Sequence, residues 1–402
     1  MNAGLLLTLL LSMRGHTIVV APGATVAAAL QQAADGDTIL VRAGTYAESH
    51  LEITRRITLL GQGMPVLDGG GNAVLLIRAD GVTVQGFVIR NVAASFTDDR
   101  AAIRISDVSG CTIRGNVIHD AFFAIYAARS SGCVIAGNHI VGNGRSETGN
   151  ANAIHLYNTR GFVVELNDVR GHRDGIYLEF GRQAVIRDNV SQANSRYGLH
   201  FMYSDSCEYR HNVFRANRAG VAVMYSRNVA MAGNTFADAT GPAAYGLLLK
   251  EIRDSRLERN HFTGNTVALS VEGGGRLYAR GNRFGGNGWA VRLSGDADDG
   301  RFEGNQFAGN GFDVVTNSRQ NSTRFARNFW DRYQGYDLDH DGLGDVPFRP
   351  VRLFGLIVAQ HPQAVILLNS LLVTLLDTAE RVAPLLAPER PVDEAPLMRW
   401  SS

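Results

Sequence analysis

The chain has 402 residues and a formal net charge of +1, with 39 Lys and Arg residues against 38 Asp and Glu residues. Such a length ordinarily suggests two or three domains, and the nearly neutral charge without a basic run gives no support to nucleic-acid binding. The 45 glycines lie between apolar columns, which indicates many tight turns in a folded chain and argues against disorder.

The chain opens with an apolar run, Gly4–Leu11, that resembles the core of a secretory signal peptide. No Lys or Arg precedes the run, and no small-x-small cleavage site follows it. We interpret residues 1–15 as an export signal, with a strand that caps the fold as the alternative. No other stretch is long and apolar enough to predict a transmembrane helix.

An alanine-rich segment, Ala24–Ala34, predicts a short helix. Three stretches that resemble strands and turns follow it, namely Asp37–Tyr46, Ile57–Gly63 and Asp80–Ile89. Because the open end of a β-solenoid exposes unpaired backbone groups, we expect the helix to cap the first coil.

Ten asparagines then recur at spacings of 22, 29, 22, 23, 22, 26, 22, 23 and 23 residues: Asn116, Asn138, Asn167, Asn189, Asn212, Asn234, Asn260, Asn282, Asn305 and Asn328. A period near 22 that is sometimes lengthened indicates stacked coils with inserted loops. The positions around each asparagine alternate between apolar and polar residues, which is the period of strands. The sequence therefore predicts an all-β fold, a right-handed parallel β-helix (pectin-lyase-like solenoid) over residues 16–335.

The asparagines are interpreted as structural, because Asn tolerates left-handed backbone and its amide bonds to backbone groups at turns. Stacked about 4.8 Å apart, the amides can form a ladder. Cys111, Cys133 and Cys207 share the parity of the inward apolar column, so we expect them to be buried. Cys111 and Cys133 lie on adjacent coils, within the reach of a disulfide, and the sequence leaves that bond open.

One strand of each coil predicts a stripe of outward side chains. In Leu199–Met202, for example, the first and third residues are apolar and should face the core, so the others should face outward. Met202 and Met224 are 22 residues apart and should be neighbours on adjacent coils. The stripe comprises Tyr126, His155, Tyr157, Tyr177, Glu179, His200, Met202 and Met224.

The residue types of this stripe are compatible with two functions, copper binding and partner binding. Thioether and imidazole groups suit Cu(I), and the candidate copper ligands are Met202, Met224, His200 and His155. Met and Tyr are also enriched at protein interfaces, and the candidate partner-binding residues here are Tyr157, Tyr177, Glu179, Tyr203 and Tyr225. Incidental exposure of these side chains is the third possibility.

Catalysis is the weaker interpretation of the stripe. Many parallel β-helices are polysaccharide lyases, hydrolases or epimerases, and Glu179 with His155 and His200 could form an acid–base pair. The stripe offers no aligned set of Asp carboxylates, however, so we predict that the chain is not an enzyme. A secreted carbohydrate-active β-helix remains the alternative function.

An acidic loop at residues 336–350 follows the last coil. Asp337, Asp339, Asp341 and Asp345 occupy positions 1, 3, 5 and 9 of an EF-hand-type pattern, with Gly342 at position 6. Phe348 stands where a bidentate Glu would complete an EF-hand, so a shorter, structural calcium site and a metal-free turn are both left open.

The remaining residues, 351–402, predict a helical and extended tail. Leu353–Ala359 and Ala364–Leu376 are rich in Leu, Val and Ile but too short to span a bilayer. They should cap the solenoid or dock onto a membrane protein, and Leu356, Leu367 and Leu371 are the candidate contact residues.

Four segments carry a family resemblance. The two coils Gly198–Ser204 and Gly220–Ser226 both end in Met-Tyr-Ser, and they are followed by Asp337–Pro350 and by the tail around Leu375–Arg381 with Pro396–Met398. Together they resemble the NosD family of nitrous oxide reductase maturation proteins.

The resemblance implies a periplasmic β-helix that works with an ABC-type ATPase and its membrane permease, peripheral to the inner membrane. Such a complex helps to assemble the copper centres of nitrous oxide reductase and receives copper from a chaperone lipoprotein. The tail would be the contact with the permease. The use of the Met/His stripe for copper, or for partners that carry copper, is our own hypothesis.

Overall fold

The computed structural model describes residues 15–95, 97–143, 151–294, 297–318, 322–367 and 391–400, with six single positions between 370 and 378. Apart from Gly15, the predicted signal segment lies outside the described residues.

Three parallel sheets run along one solenoid, and each coil contributes a short strand to each sheet. Strands from successive coils pair in parallel, for example Leu199–Met202 with Val221–Met224. Because successive coils supply neighbouring strands, a residue one period later lies directly beside its counterpart. The predicted parallel β-helix is confirmed.

In each sheet the strands lie side by side in the order in which they occur along the chain. The first sheet contains Thr17–Val20, Thr38–Arg42, Thr58–Gln62, Thr83–Gln85, Thr112–Arg114, Val134–Ala136, Val163–Glu165, Val185–Arg187, Glu208–Arg210, Ala230–Ala232, Arg256–Glu258, Tyr278–Arg280, Arg301–Glu303 and Arg324–Ala326. The second sheet contains Leu51–Ile53, Leu75–Ile77, Ala101–Ser106, Phe123–Ala128, Ile154–Tyr157, Ile176–Glu179, Leu199–Met202, Val221–Met224, Tyr245–Arg253, Val267–Gly275, Trp289–Leu293 and Phe312–Thr316. The third sheet contains Thr45–Tyr46, Val66–Asp68, Val88–Val92, Val117–Ala121, His139–Val141, Asp168–Arg170, Val190–Gln192, Val213–Arg215, Thr235–Ala237, His261–Thr263, Arg283–Gly285, Gln306–Ala308 and Phe329–Trp330.

The core lies inside the coil and is filled by the inward residue of each strand. In the third sheet the rings of Phe236, Phe262, Phe284, Phe307 and Trp330 stack with centroids 4.2 to 4.9 Å apart. Burial of each aromatic side chain stabilises the fold by about 1.5–3 kcal/mol. The inward apolar columns read from the sequence are therefore confirmed.

The three cysteines also lie in the core, as predicted, and all three are free thiols. The Cys111 backbone N–H donates to Cys133 Sγ at 3.3 Å. The Cys133 sulfur thus accepts a hydrogen bond from the backbone of the neighbouring coil, and no disulfide joins the two cysteines.

The asparagines form the predicted ladder, and all ten are buried. At a typical rung, the backbone N–H and the side-chain amide of Asn189 both donate to Asn212 Oδ1, at 3.0 and 2.9 Å. The amide of Asn212 in turn donates to the Ile186 carbonyl at 2.9 Å. Each amide therefore satisfies backbone groups that the turn would otherwise leave buried and unpaired.

Helix α1, Val26–Gln32, covers the N-terminal end of the solenoid and confirms the predicted cap. Thr25 Oγ1 accepts the Ala28 N–H at 3.3 Å and caps the helix, while Val26 and Ala29 enter the core. The residues that close the open end thus come from the segment that precedes the repeats.

The C-terminal end is closed by two parts of the tail. Helix α2, Leu353–Gln360, and a 3₁₀-helix, Pro362–Leu367, follow the acidic loop. Residues 391–400 then return to the last coil, where the fully buried Asp393 carboxylate accepts from the backbone and side-chain N–H groups of Asn328 and from Trp330 Nε1. Within the described part of the chain, no helix has the length and apolarity needed to cross a membrane.

Candidate functional site

The outer face of the second sheet carries two columns of functional side chains. The first column places Tyr157, Glu179, Met202, Met224 and Lys250 in register on consecutive coils. Met202 and Met224 are direct neighbours, as their spacing predicted, and both side chains are half-buried. Since parallel strands lie about 4.8 Å apart, the two thioethers can approach the same ion.

The second column places Tyr126, His155, Tyr177, His200 and Ala222 in register. The ring of Tyr177 lies between the two imidazoles, with centroids 4.7 Å from His155 and 4.7 Å from His200. The structure therefore brings His200 next to the methionine pair but leaves His155 two coils from His200. The four candidate copper ligands do not form one site.

His200 faces away from the core, as predicted, yet only 4% of its surface is exposed, which the sequence did not predict. His200 is buried because the segment that connects the third sheet to the second sheet covers it. The Tyr197 ring lies 4.7 Å from the His200 ring, and the Arg196 guanidinium covers Tyr197 at 4.7 Å. Tyr126 is likewise only 8% exposed.

Asp174 lies fully buried beside His200 under these connections. Its Oδ2 atom lies 3.7 Å from His200 Nδ1, 3.7 Å from Arg173 Nε and 3.9 Å from Arg196 Nη1. All three separations exceed hydrogen-bond distance. The carboxylate is therefore surrounded by cationic or polar groups without bonding to them through Oδ2.

Several buried polar atoms of this cluster lack a hydrogen-bond partner among the described residues. They are both ring nitrogens of His200, His155 Nε2, His172 Nδ1, Arg173 Nε and Asp174 Oδ2. A buried group left unpaired costs about 1–3 kcal/mol. The cluster thus holds free donor and acceptor atoms at a cost to the stability of the fold.

Burial also sets the charge of His155 and His172. It lowers the pKa of His155 to about 3, with a further contribution from Arg173, and it lowers the pKa of His172 to about 4. Both imidazoles are consequently neutral near pH 7. A neutral imidazole keeps a lone pair with which it can bind a metal ion.

The donor set near the methionine pair fits a soft ion. It contains two thioethers on neighbouring strands and the unpartnered imidazole of His200, which lies two residues before Met202 on the same face of the sheet. Thioether and imidazole ligands suit Cu(I) better than hard divalent ions. The residues present therefore match copper as a transient cargo.

In the acidic loop, carboxylate oxygens of Asp337, Asp339 and Asp341 lie within 4.8 Å of one another. Asp345 is not part of this group, and its Oδ2 accepts the Leu338 N–H at 2.7 Å. Three of the four predicted carboxylates are thus brought together, and a calcium ion there stays a prediction.

The predicted partner-binding residues differ in exposure. Tyr203 and Tyr225 are 46% and 41% exposed, and Leu367 and Leu371 of the tail are exposed as well. Leu356, in contrast, packs against the core at the end of the solenoid. Leu356 on helix α2 is therefore part of the end cap, which is one of the two roles predicted for the tail, and its contact with a partner stays a prediction.

Sequence reasoning missed three residues of this region: Phe180, Asp174 and Tyr197. Phe180 occupies the position after Glu179 that Tyr203 occupies after Met202, so alignment of the coils could have found it. Asp174 and Tyr197 lie on connections of irregular length, where the repeat gives no signal.

Comparison with known proteins assigns the family. Residues 143–335 match the family described as "Periplasmic copper-binding protein (NosD)". A protein of Pseudomonas aeruginosa named "Probable ABC transporter binding protein NosD" is 32% identical over 388 residues, covering 91% of this chain and 89% of its own. The chain belongs to the NosD family. A Stutzerimonas stutzeri protein of the same name is 28% identical, covering 84% of this NosD-family chain and 81% of its own.

Solved structures similar to the NosD-family chain share its solenoid. A family 28 exopolygalacturonase of Yersinia enterocolitica superposes with a TM-score of 0.62 at 12% identity, covering 77% of this chain and 78% of its own. A mannuronic-acid-specific family 6 polysaccharide lyase from human gut microbiota gives a TM-score of 0.61 at 12% identity, covering 80% and 89%. At this identity the likeness shows the fold alone.

Proposed function

We propose that this chain is a non-catalytic periplasmic protein that works with an ABC permease and ATPase and supports assembly of the copper centres of nitrous oxide reductase. The family description as periplasmic and copper-binding supports the location and the cargo. The name of the relatives, ABC transporter binding protein, supports the association with a transporter.

The observation that carries the copper role is the register of Met202 and Met224 beside His200. In this role the two thioethers receive Cu(I), and the imidazole of His200, two residues before Met202 on the same face of the sheet, offers a further donor. The three cysteines are buried inside the coil, so their thiolates do not compete for the ion. Thioethers are uncharged ligands, which favours a copper ion that is handed on over one that is retained.

The same face has room for the partners that the role requires. A copper chaperone lipoprotein delivers the ion at the half-buried methionine pair, and nitrous oxide reductase or the transporter receives it. The exposed Leu367 and Leu371 of the tail lie at the opposite end of the solenoid from helix α1 and are available to the permease. This separation allows the chain to hold both kinds of partner at once.

The test is a competition titration of Cu(I) between the purified chain and the chelator bicinchoninate. We expect the Met202→Leu/Met224→Leu variant to bind Cu(I) at least roughly tenfold more weakly, which corresponds to about 1.4 kcal/mol or more. Leucine keeps the volume of the side chain and removes the sulfur, so the fold is spared.

Met64→Leu is the matched control, because the Met64 side chain reaches the surface with 38% exposure but lies on another part of the solenoid. It should bind Cu(I) like the wild type. Equal binding by the wild type and the double variant would contradict the copper role of the pair.

A further inference from the structure

A ridge of aromatic side chains follows the second sheet at the corner of three consecutive coils. Phe180, Tyr203 and Tyr225 are 45%, 46% and 41% exposed. Their φ angles of 55°, 50° and 52° lie in the left-handed region, which bulky residues rarely adopt. The polar residues Arg129 and Asn158 occupy the same corner on earlier coils. Aromatic residues at this corner are therefore a cost that the fold does not require, which points to function.

The rings of the ridge are stacked on one another. Phe180 and Tyr203 have centroids 5.4 Å apart and planes 10° apart, and Tyr203 and Tyr225 have centroids 5.2 Å apart and planes 17° apart. Each ring thus covers a face of its neighbour, and the ridge presents ring edges to solvent. Ring edges carry partial positive charge and attract anionic groups.

A row of guanidinium groups runs beside the ridge, two residues further along each coil. Arg160, Arg182, Asp205, Arg227 and Arg253 follow one another from coil to coil, and the arginines are exposed. The Asp205 carboxylate pairs with Arg227 at 3.2 Å. The row therefore carries an excess of three positive charges over five coils.

The ridge and the row line two neighbouring clefts in the surface. A volume of about 710 Å³ is bordered by Arg160, Arg182, Tyr157, Phe180 and Tyr203. The second cleft, of about 610 Å³, is bordered by Tyr225 with three cationic side chains and two carboxylates, namely Arg227, Lys250, Arg253, Asp205 and Glu251, so it keeps a net positive charge. A concave surface with positive ring edges on one side and guanidinium groups on the other fits an extended anionic chain.

We propose that the aromatic ridge and the arginine row form a docking surface for an acidic segment of a partner protein. The phenol groups of Tyr203 and Tyr225 add hydrogen-bond donors for its carboxylates. A polysaccharide is disfavoured because sugar rings stack on open aromatic faces, and here the faces between neighbouring rings are covered. The inference names the chemistry of a partner at the methionine pair, and in that respect it rests on the proposed function.

The experiment places the photo-reactive residue p-benzoylphenylalanine at Tyr203 of the full chain, produced in its natural host. We expect a cross-link to a protein segment in which Asp and Glu clearly outnumber Lys and Arg. Arg160→Glu/Arg182→Glu should lower the yield at least roughly tenfold, because it replaces two exposed positive charges by negative ones.

Two matched controls use other faces of the solenoid. Leu166 is 64% exposed with a φ of 55°, so the photo-reactive residue at this position occupies a similar corner and should give no such cross-link. Arg256→Glu changes an exposed arginine of the first sheet and should leave the Tyr203 cross-link intact.

An undiminished cross-link in the Arg160→Glu/Arg182→Glu variant would overturn the proposal, as would a cross-linked segment that is neutral or basic. Charge-dependent binding to phosphatidylglycerol vesicles without a protein cross-link would assign the surface to lipid and also overturn it. The Cu(I) affinity of the arginine variant should equal that of the wild type. Failure of the copper role and failure of the docking surface therefore give different results.

Discussion

The molecule contains two sets of buried polar side chains, one with its hydrogen bonds satisfied and one with several of them unsatisfied. In the asparagine ladder, each side chain is fully paired: Asn212, for example, accepts from Asn189 and donates to Asn234 and to the Ile186 carbonyl. In the cluster under the connections of the second sheet, neither ring nitrogen of His200 makes a hydrogen bond to a described residue, and Asp174 Oδ2 accepts none. Satisfied polar groups support a fold, whereas buried groups kept unsatisfied mark a site that a fold alone does not explain.

The difference follows from the regularity of the chain. The ladder repeats one turn on ten coils, so every amide meets the same neighbours. The cluster forms where connections of unequal length cover the sheet, so His200, Tyr197 and Asp174 meet only once. A stacked repeat therefore provides stability, and its irregular connections provide individual chemistry.

The largest loss in the free energy of unfolding is expected from a substitution that interrupts the asparagine ladder. Asn212→Ala removes the acceptor of two Asn189 donors and the donor to the Ile186 carbonyl, all of them buried. Since each unpaired group costs about 1–3 kcal/mol, we expect a loss of about 4 kcal/mol in the free energy of unfolding. Urea titration followed by circular dichroism measures it.

Asn158→Ala is the control for the ladder variant. Asn158 is an exposed asparagine outside the ladder and, unlike Asn212, it has left-handed backbone, with a φ of 49°. Its replacement should cost at most about 1 kcal/mol. Equal losses in the two variants would show that the hydrogen bonds of the ladder contribute no more to stability than an exposed asparagine does.

A smaller loss in the free energy of unfolding is expected at acidic pH. His155 and His172 have lowered pKa values in the folded state, so below the ordinary value of 6.5 the unfolded chain binds more protons than the folded chain. Asp313, whose pKa burial raises to about 6, opposes them below pH 6. The net loss of stability between pH 7 and pH 5.5 should be about 2 kcal/mol.

His172→Gln isolates one of these contributions. His172 is buried and lies outside the candidate copper ligands. The variant should lose only about 1 kcal/mol between pH 7 and pH 5.5 in urea titrations at each pH. An unchanged pH dependence would contradict the neutral, buried state of His172.

The smallest effect on stability is expected within the unsatisfied cluster. His200→Phe removes two unpaired nitrogens and keeps an aromatic ring between Tyr177 and Tyr197. We expect the free energy of unfolding to stay within about 1 kcal/mol of the wild type or to rise. A loss comparable to that of Asn212→Ala would show that His200 is part of the structural framework.

The sequence predicted the regular asparagine ladder but not the irregular cluster around His200. The spacing of the asparagines predicted the coils, the ladder and the meeting of Met202 with Met224, because a period translates directly into neighbours in a solenoid. It did not predict the burial of His200, because the covering residues come from connections outside the repeat.

The end of the ladder shows the same limit. Asp393 lies 65 residues beyond Asn328, yet its carboxylate receives the last rung of the ladder. No pattern links an acidic residue of the tail to a column of amides, so only the folded chain reveals that the C-terminal segment closes the stack.

The central claim is that the methionine pair handles copper for nitrous oxide reductase. The most direct test is the copper content and visible spectrum of the reductase purified from a strain whose only copy of this gene carries Met202→Leu/Met224→Leu. Our account predicts a reductase that lacks its catalytic copper centre, while a strain with Met64→Leu gives a loaded enzyme. A fully loaded, active reductase from the double variant would contradict the claim.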